Sequence, residues 1–317
     1  MKFDQFTARC FAEWPQFGDR RNLSRARHPS DRSLSEVLKE IPGMATENKL
    51  KLLNIAVECL AENEVYVEVG CYRGASLVGA ALGHPDARLY ACDNFSQFDG
   101  VAEKLGVTLA RYTPPGQVSF FDSDFRVMMD TSPWDPRSIG AYFYDGGHSF
   151  RDQYEGLVYA LPHLASDAIV IVDDTNKRAA RAANALFARQ VDHFDLVLDL
   201  RTPRNHSPTW WNGIQVYRYT RSKRRGARPR LYGEGYQIRK LIYDDILLTL
   251  RHRRRALQRQ LRRYFRSRRA ELPMLKPGTK GGHQDSSEKS RNGPGSGHHH
   301  RNHQSRDHSE RREHRDD

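Results

Sequence analysis

Val65-Tyr66-Val67-Glu68-Val69-Gly70-Cys71-Tyr72-Arg73-Gly74-Ala75-Ser76 is the stretch whose reading decides the fold. Its first five residues, mostly β-branched and aromatic, read as a short buried strand. Gly70 and Gly74 then allow a tight turn and a close backbone approach to a ligand before a helix that begins near Ala75. A second apolar run ends in Asp93, about twenty residues on. A carboxylate in that place can accept both hydroxyls of a ribose, the logic of nucleotide-binding βαβ units. A nucleotide-like ligand is therefore expected.

The glycine spacing selects among nucleotides. A dinucleotide site wants G-x-G-x-x-G, because a pyrophosphate must lie against amides at the helix start. Here one glycine is missing and Glu68 precedes the turn, which would repel a pyrophosphate but suit a ligand bearing positive charge. The stretch resembles the class I S-adenosylmethionine-dependent methyltransferases, whose first motif has the form E-x-G-x-x-x-G. The resemblance implies that Glu68, Gly70, Arg73 and Gly74 surround the methionine part of S-adenosylmethionine, that Asp93 holds its ribose, and that Asp122 or Asp124, in Phe121-Asp-Ser-Asp124, accepts from the adenine amino group.

Strands are expected over 65–69, 88–92, 117–121, 139–144 and 168–172, with helices near 75–82, 100–105, 151–164 and 177–190. This alternation predicts an α/β fold with a doubly wound, Rossmann-like parallel sheet. Residues 194–200 and 213–219 read as two further strands with no helix between them. A seven-stranded sheet ending in an antiparallel hairpin is what the methyltransferase fold implies. Before the first strand, Leu34 to Ile41 reads as a short helix, and Thr46 as the N-cap of a stronger one. The expected organisation is an N-terminal extension (1–45), a methyltransferase domain (46–220), a basic linker and amphipathic helix (221–271), and a disordered polar tail (272–317).

Tyr142-Phe-Tyr-Asp-Gly-Gly-His148 closes the fourth strand and Ile169-Val-Ile-Val-Asp-Asp174 the fifth. Ligands of open α/β sheets sit outside the carboxyl ends of strands, so Asp145, Asp173 and Asp174 should face one crevice. Three carboxylates there repel one another unless protonated, solvated or bridged by a cation. A hard ion such as Mg²⁺ would resolve the conflict. These motifs also resemble the metal-dependent catechol and macrolide-sugar O-methyltransferases. That resemblance implies Asp145, Asp173 and Asp174 as metal ligands, although Asp174 stands where the catechol type has Asn. His148 replaces a catalytic Lys; it could serve as general base, as ligand, or as a cap on the helix that follows. Asp-Asp could likewise cap a helix. In Thr209-Trp210-Trp211-Asn212, one Trp is expected in the core and the other beside the crevice.

The formal net charge of +12 is uneven: residues 1–220 hold 24 basic and 28 acidic residues, whereas 221–317 hold 27 and 11. The globular part is mildly acidic, and the basic character belongs to the C-terminal extension. Between Arg251 and Arg269 stand ten arginines and no acid. That segment is a candidate for binding a polyanion, either RNA or an anionic membrane, or for docking on the domain or on a second copy in a homo-oligomer. Four cysteines lack C-x-x-C spacing and no long apolar run occurs, which predicts a reduced, cytoplasmic protein. The absence of Asn/Asp/Ser-Pro-Pro-Tyr/Phe after the fourth strand, and of Pro-Cys anywhere, turns the expectation from bases toward an oxygen on a small molecule or sugar. The alternatives are a methyltransferase acting on nucleic acid or protein through the arginine-rich helix, and a non-catalytic cofactor-binding protein.

Overall fold

The computed structural model describes residues 1–96, 101–221 and 231–271. The basic linker, apart from Arg221, and the polar tail lie outside the described residues. Residues 1–262 form one compact unit; of the second, 263–317, the described part is the helix end up to Glu271.

Four helices come first: α1 (Phe3–Glu13), α2 (Arg20–Leu23), α3 (Ser35–Glu40) and α4 (Glu47–Glu58). Then β1 (Val65–Val69), α5 (Ala75–Ala81), β2 (Leu89–Asp93), α6 (Ala102–Tyr112), β3 (Val118–Asp122), α7 (Phe125–Thr131), β4 (Ile139–Tyr144), α8 (Phe150–Ala160), β5 (Leu164–Asp173) and α9 (Arg178–Gln190) alternate. β6 (Phe194–Leu200) and β7 (Ile214–Thr220) follow as a hairpin, and α10 (Glu234–Lys240), a π-helical turn (Leu241–Ile246) and α11 (Leu247–Glu271) end the described chain. The sheet order is β3-β2-β1-β4-β5-β7-β6, with β7 antiparallel to both neighbours and the other pairs parallel. This is a seven-stranded Rossmann-like sheet with a terminal antiparallel hairpin, the topology that the resemblance implies. The strand order reverses between β1 and β4, which opens a crevice at their carboxyl ends.

Both faces of the sheet are covered, so central strands read as continuous apolar runs. Val65, Val67 and Val69 pack with Tyr142, Tyr144, Phe150 and Phe187 on one face, whereas Tyr66 packs with Leu53, Phe143 and Ile171 on the other. Glu68 shares the parity of Tyr66 and is wholly buried.

Four elements differ from expectation. The first 45 residues include α1 and α2, which join the core: Phe6, Cys10 and Trp14 are buried where α1 packs on α4, and Leu23 is buried where α2 meets β6. The Trp14 indole donates to Asn48 (2.9 Å), and Asn48 donates to the carbonyls of Ala26 (2.7 Å) and Thr209 (3.0 Å). Charged residues around these anchors hide the apolar spacing of α1. The helix α7 went unforeseen, and α6 starts later and runs longer than expected. The C-terminal helix is broken by the π turn; there Asp244 accepts from the amides of Phe150 (2.7 Å) and Arg151 (2.9 Å), while Tyr236 is buried beside Phe150 and Tyr154. Among the described residues no helix is long and apolar enough to cross a membrane.

Candidate active site

The loop after β1 is held by backbone approach. Gly70 (φ +85°) and Gly74 (φ +88°) both occupy the left-handed region that favours glycine. A Cβ on Gly70 would lie 2.2 Å from the Asp145 carbonyl oxygen, and one on Gly74 2.8 Å from Leu105. The glycines thus let the ends of β1 and β4 touch and let α6 close over the loop. Asp93 ties this loop to β2, accepting from the amides of Tyr72 and Phe95, each at 2.9 Å. Arg73 lies beside the Tyr72 ring, and its Nε is buried without a partner among the described residues.

Glu68 points into the domain. It accepts from the hydroxyls of Tyr66 (2.7 Å) and Ser76, and burial pushes its carboxyl up to about 7 against those two hydrogen bonds. In this position it braces the loop and the start of α5. At the end of β3, exposed Asp122 lies in register with Asp93, whereas Asp124 caps α7 through the Arg126 amide (2.9 Å) and pairs with the Arg126 guanidinium.

Asp145, His148, Asp173 and Asp174 come together as the strand-end rule demands, but around a residue that local sequence did not announce. Lys49, at the start of α4, is buried, and its ammonium donates to Asp173 and to the Met44 carbonyl (3.2 Å), with Asp145 Oδ2 at 3.8 Å. Burial disfavours this ammonium, yet Asp173 and Asp145 outweigh burial and hold its pKa above the ordinary lysine value. Asp173 is 1% exposed, and its Oδ1 has no hydrogen-bond partner among the described residues. Burial, followed by the Asp173 charge, drives the Asp145 carboxyl well above the usual carboxylate range, with Lys49 opposing.

Asp174 adopts φ +56° and faces the other way. It accepts from Asn212 (2.7 Å), pairs with Lys177 (3.0 Å), and meets His148 Nε2 at 2.9 Å. Burial raises its carboxyl, but His148 and Lys177 win and hold it far below the usual range. His148 Nδ1 is buried without a partner among the described residues. Ser149, not His148, caps α8, and α9 begins without a side-chain cap. His148 and Asp174 are thus free of the capping duties left open above.

Asp145, His148 and Asp174 offer ligand atoms that all lie within 4.8 Å of one another. The three-aspartate set implied by the resemblance does not close on one point, because Asp173 is turned onto Lys49. Of the tryptophans, Trp210 is fully buried and donates to the Leu23 carbonyl (2.8 Å), while Trp211 is half-buried and lies against His206 in a tilted ring contact, with centroids 4.9 Å apart. The two precede β7, and Trp211 is left-handed (φ +52°), so a loop and not strand alternation separates them. Lys49, Lys177 and Asn212 were not foreseen; the long-range pairing of Lys49 leaves no local signal, Lys177 stands only three residues from Asp174, and Asn212 reads as a turn residue.

The family model of a methyltransferase domain matches residues 67–175. No curated protein matches the chain. Among solved structures, it is similar to the O-methyltransferase TomG of Streptomyces achromogenes, in complex with S-adenosylmethionine (18% identity, 66% of this chain and 99% of that one, TM-score 0.46). It is also similar to a Podospora anserina methyltransferase bound to S-adenosylhomocysteine (13%, 63% and 93%, 0.48) and to a methyltransferase of Geobacter sulfurreducens (15%, 60% and 88%, 0.43). The matched span contains Glu68, the glycine loop, Asp93, Asp145, His148, Asp173 and Asp174.

Proposed function

We propose that the protein is a cytoplasmic S-adenosylmethionine-dependent O-methyltransferase whose acceptor is a hydroxyl of a small molecule or sugar. The observation that carries this reading is the His148–Asp174 pair. The contact with Asp174 at 2.9 Å favours the proton on Nε2, which leaves Nδ1 a lone pair that no group among the described residues uses. An imidazole oriented in this way can accept the proton of a hydroxyl.

When bound, S-adenosylmethionine supplies an activated sulfonium methyl. The protein's part is to hold the acceptor oxygen in line with it and to remove the proton. The loop braced by Glu68 and Asp93 would seat the methionine and ribose parts, with Asp93 offering its remaining lone pairs and Asp122 reaching the adenine. The orphaned Arg73 Nε suits the cofactor carboxylate, and half-buried Trp211 would border the acceptor. His148 takes the proton at Nδ1 while Asp174 stabilises the resulting imidazolium.

Calorimetry with S-adenosylmethionine tests the premise: absence of binding removes this reading. Release of S-adenosylhomocysteine across a panel of hydroxylated acceptors tests turnover, and binding without any turnover would leave a cofactor-binding protein. A second reading, a nucleic-acid or protein acceptor, is favoured by α11, where Arg251, Arg253, Arg254, Arg259, Arg262 and Arg263 are exposed. Methyl transfer to RNA that disappears at high salt would favour it.

A further inference from the structure

Lys49 stands where the charge problem of the crevice lies. Asp145 and Asp173 converge there while Asp174 is turned to the other side, and like charges at such separations need a proton or a cation. The chain supplies its own: Lys49 contacts Asp173 and lies 3.8 Å from Asp145 Oδ2, while Lys177 pairs with Asp174. The Lys49 side chain is 1% exposed, sits near the start of a helix buried along its length, and is held from behind by the Met44 carbonyl. A divalent ion entering between Asp145 and Asp173 would meet this ammonium directly. The compact donor set that remains, Asp145, His148 and Asp174, excludes Asp173.

We infer that the Lys49 ammonium takes the electrostatic place of a divalent ion, holding Asp145 and Asp173 in position so that the site works without metal. The inference rests on the methyltransferase reading for its catalytic consequence, but its physical content is separate. Lys49 is a positioning residue: it fixes two carboxylates beside the acceptor crevice and leaves proton transfer to His148. The metal-dependent enzymes that the strand-end motifs resemble need an ion to gather those carboxylates. In this chain a helix outside the family-matched span brings the cation in.

The test is direct binding of Mn²⁺, followed by electron paramagnetic resonance, to the full-length protein after chelation. Wild type is expected to bind no stoichiometric Mn²⁺ at the crevice. Lys49→Met should bind at least tenfold more tightly, and Lys49→Met/Asp173→Asn should lose that gain. Ions held by the tail histidines are recognised by their survival in Asp145→Asn. Wild type binding one Mn²⁺ per chain that Asp145→Asn abolishes overturns the inference, and that arm needs no Lys49 variant to fold. A folded Lys49→Met that gains no affinity also overturns it. Calorimetry with S-adenosylmethionine on the same samples separates the two ideas. Silence there removes the methyltransferase reading and leaves the ion result standing.

Discussion

Lys49 and the arginines of α11 carry the same charge in opposite surroundings. Lys49 has lost its water and is charged only because Asp173 and Asp145 face it. Arg251, Arg253, Arg254, Arg259, Arg262 and Arg263 keep their water, and none has a carboxylate partner among the described residues. At about 4 Å an ion pair is worth about 4 kcal/mol at an effective dielectric of 20, and about 1 kcal/mol in water. Charge in the crevice is therefore structural, and each ion depends on its partner. Charge on α11 is exposed, so its removal is expected to leave folding intact.

The largest effect expected is on stability, from breaking the buried pair. Lys49→Met or Asp173→Asn alone should cost about 3–5 kcal/mol in urea denaturation, because each strands a buried charge. The double variant should recover much of the loss. Additive losses would show that the pair does not act as a unit.

His148→Ala and Asp174→Asn should next lower kcat by about 10²–10⁴ while S-adenosylmethionine affinity, measured by calorimetry, moves little. A proportional fall in affinity would place them in cofactor binding instead.

Glu68 gives a smaller, pH-dependent effect. Its folded carboxyl is raised from 4.5 to about 7, so between those values the unfolded chain releases a proton that the native state keeps. Its cost to stability is absent below about pH 4.5, grows to about 3 kcal/mol as the pH rises to 7, and then levels off. Thermal unfolding of Glu68→Gln across this range should show a flatter pH slope than wild type; equal slopes would count against it.

The smallest effect on stability should come from α11. Arg259→Glu with Arg262→Glu and Arg263→Glu should leave the urea midpoint unchanged while weakening any binding to RNA or anionic vesicles and its salt dependence. A large loss of stability would mean that the helix is part of the core and would erase the contrast with Lys49.

Much of the fold was legible because parallel strands buried on both faces are written as unbroken apolar runs, which locate β1 to β5 to within a few residues. The two glycines were legible as a turn, though they serve the packing of Asp145 and Leu105 against the loop. Asp93, Asp145, His148, Asp173 and Asp174 were legible as strand-end residues, since position along a strand fixes which end a side chain occupies. Their partners were not. Trp14, Asn48 and Trp210 join segments far apart in the chain, and the polar residues among them mask their apolar spacing.

The amino-acid pattern by itself determined the alternation of strands and helices, the loop after β1 and the carboxylates at one end of the sheet. These follow from local periodicity and spacing, which act over a few residues. Only the tertiary structure decided what balances those carboxylates. Lys49 reaches Asp173 across 124 positions of sequence, and His148 meets Asp174 only because β4 and β5 are neighbours in the sheet. Electrostatics acts through space, so a charge is paired or orphaned according to the fold, whatever its sequence neighbours.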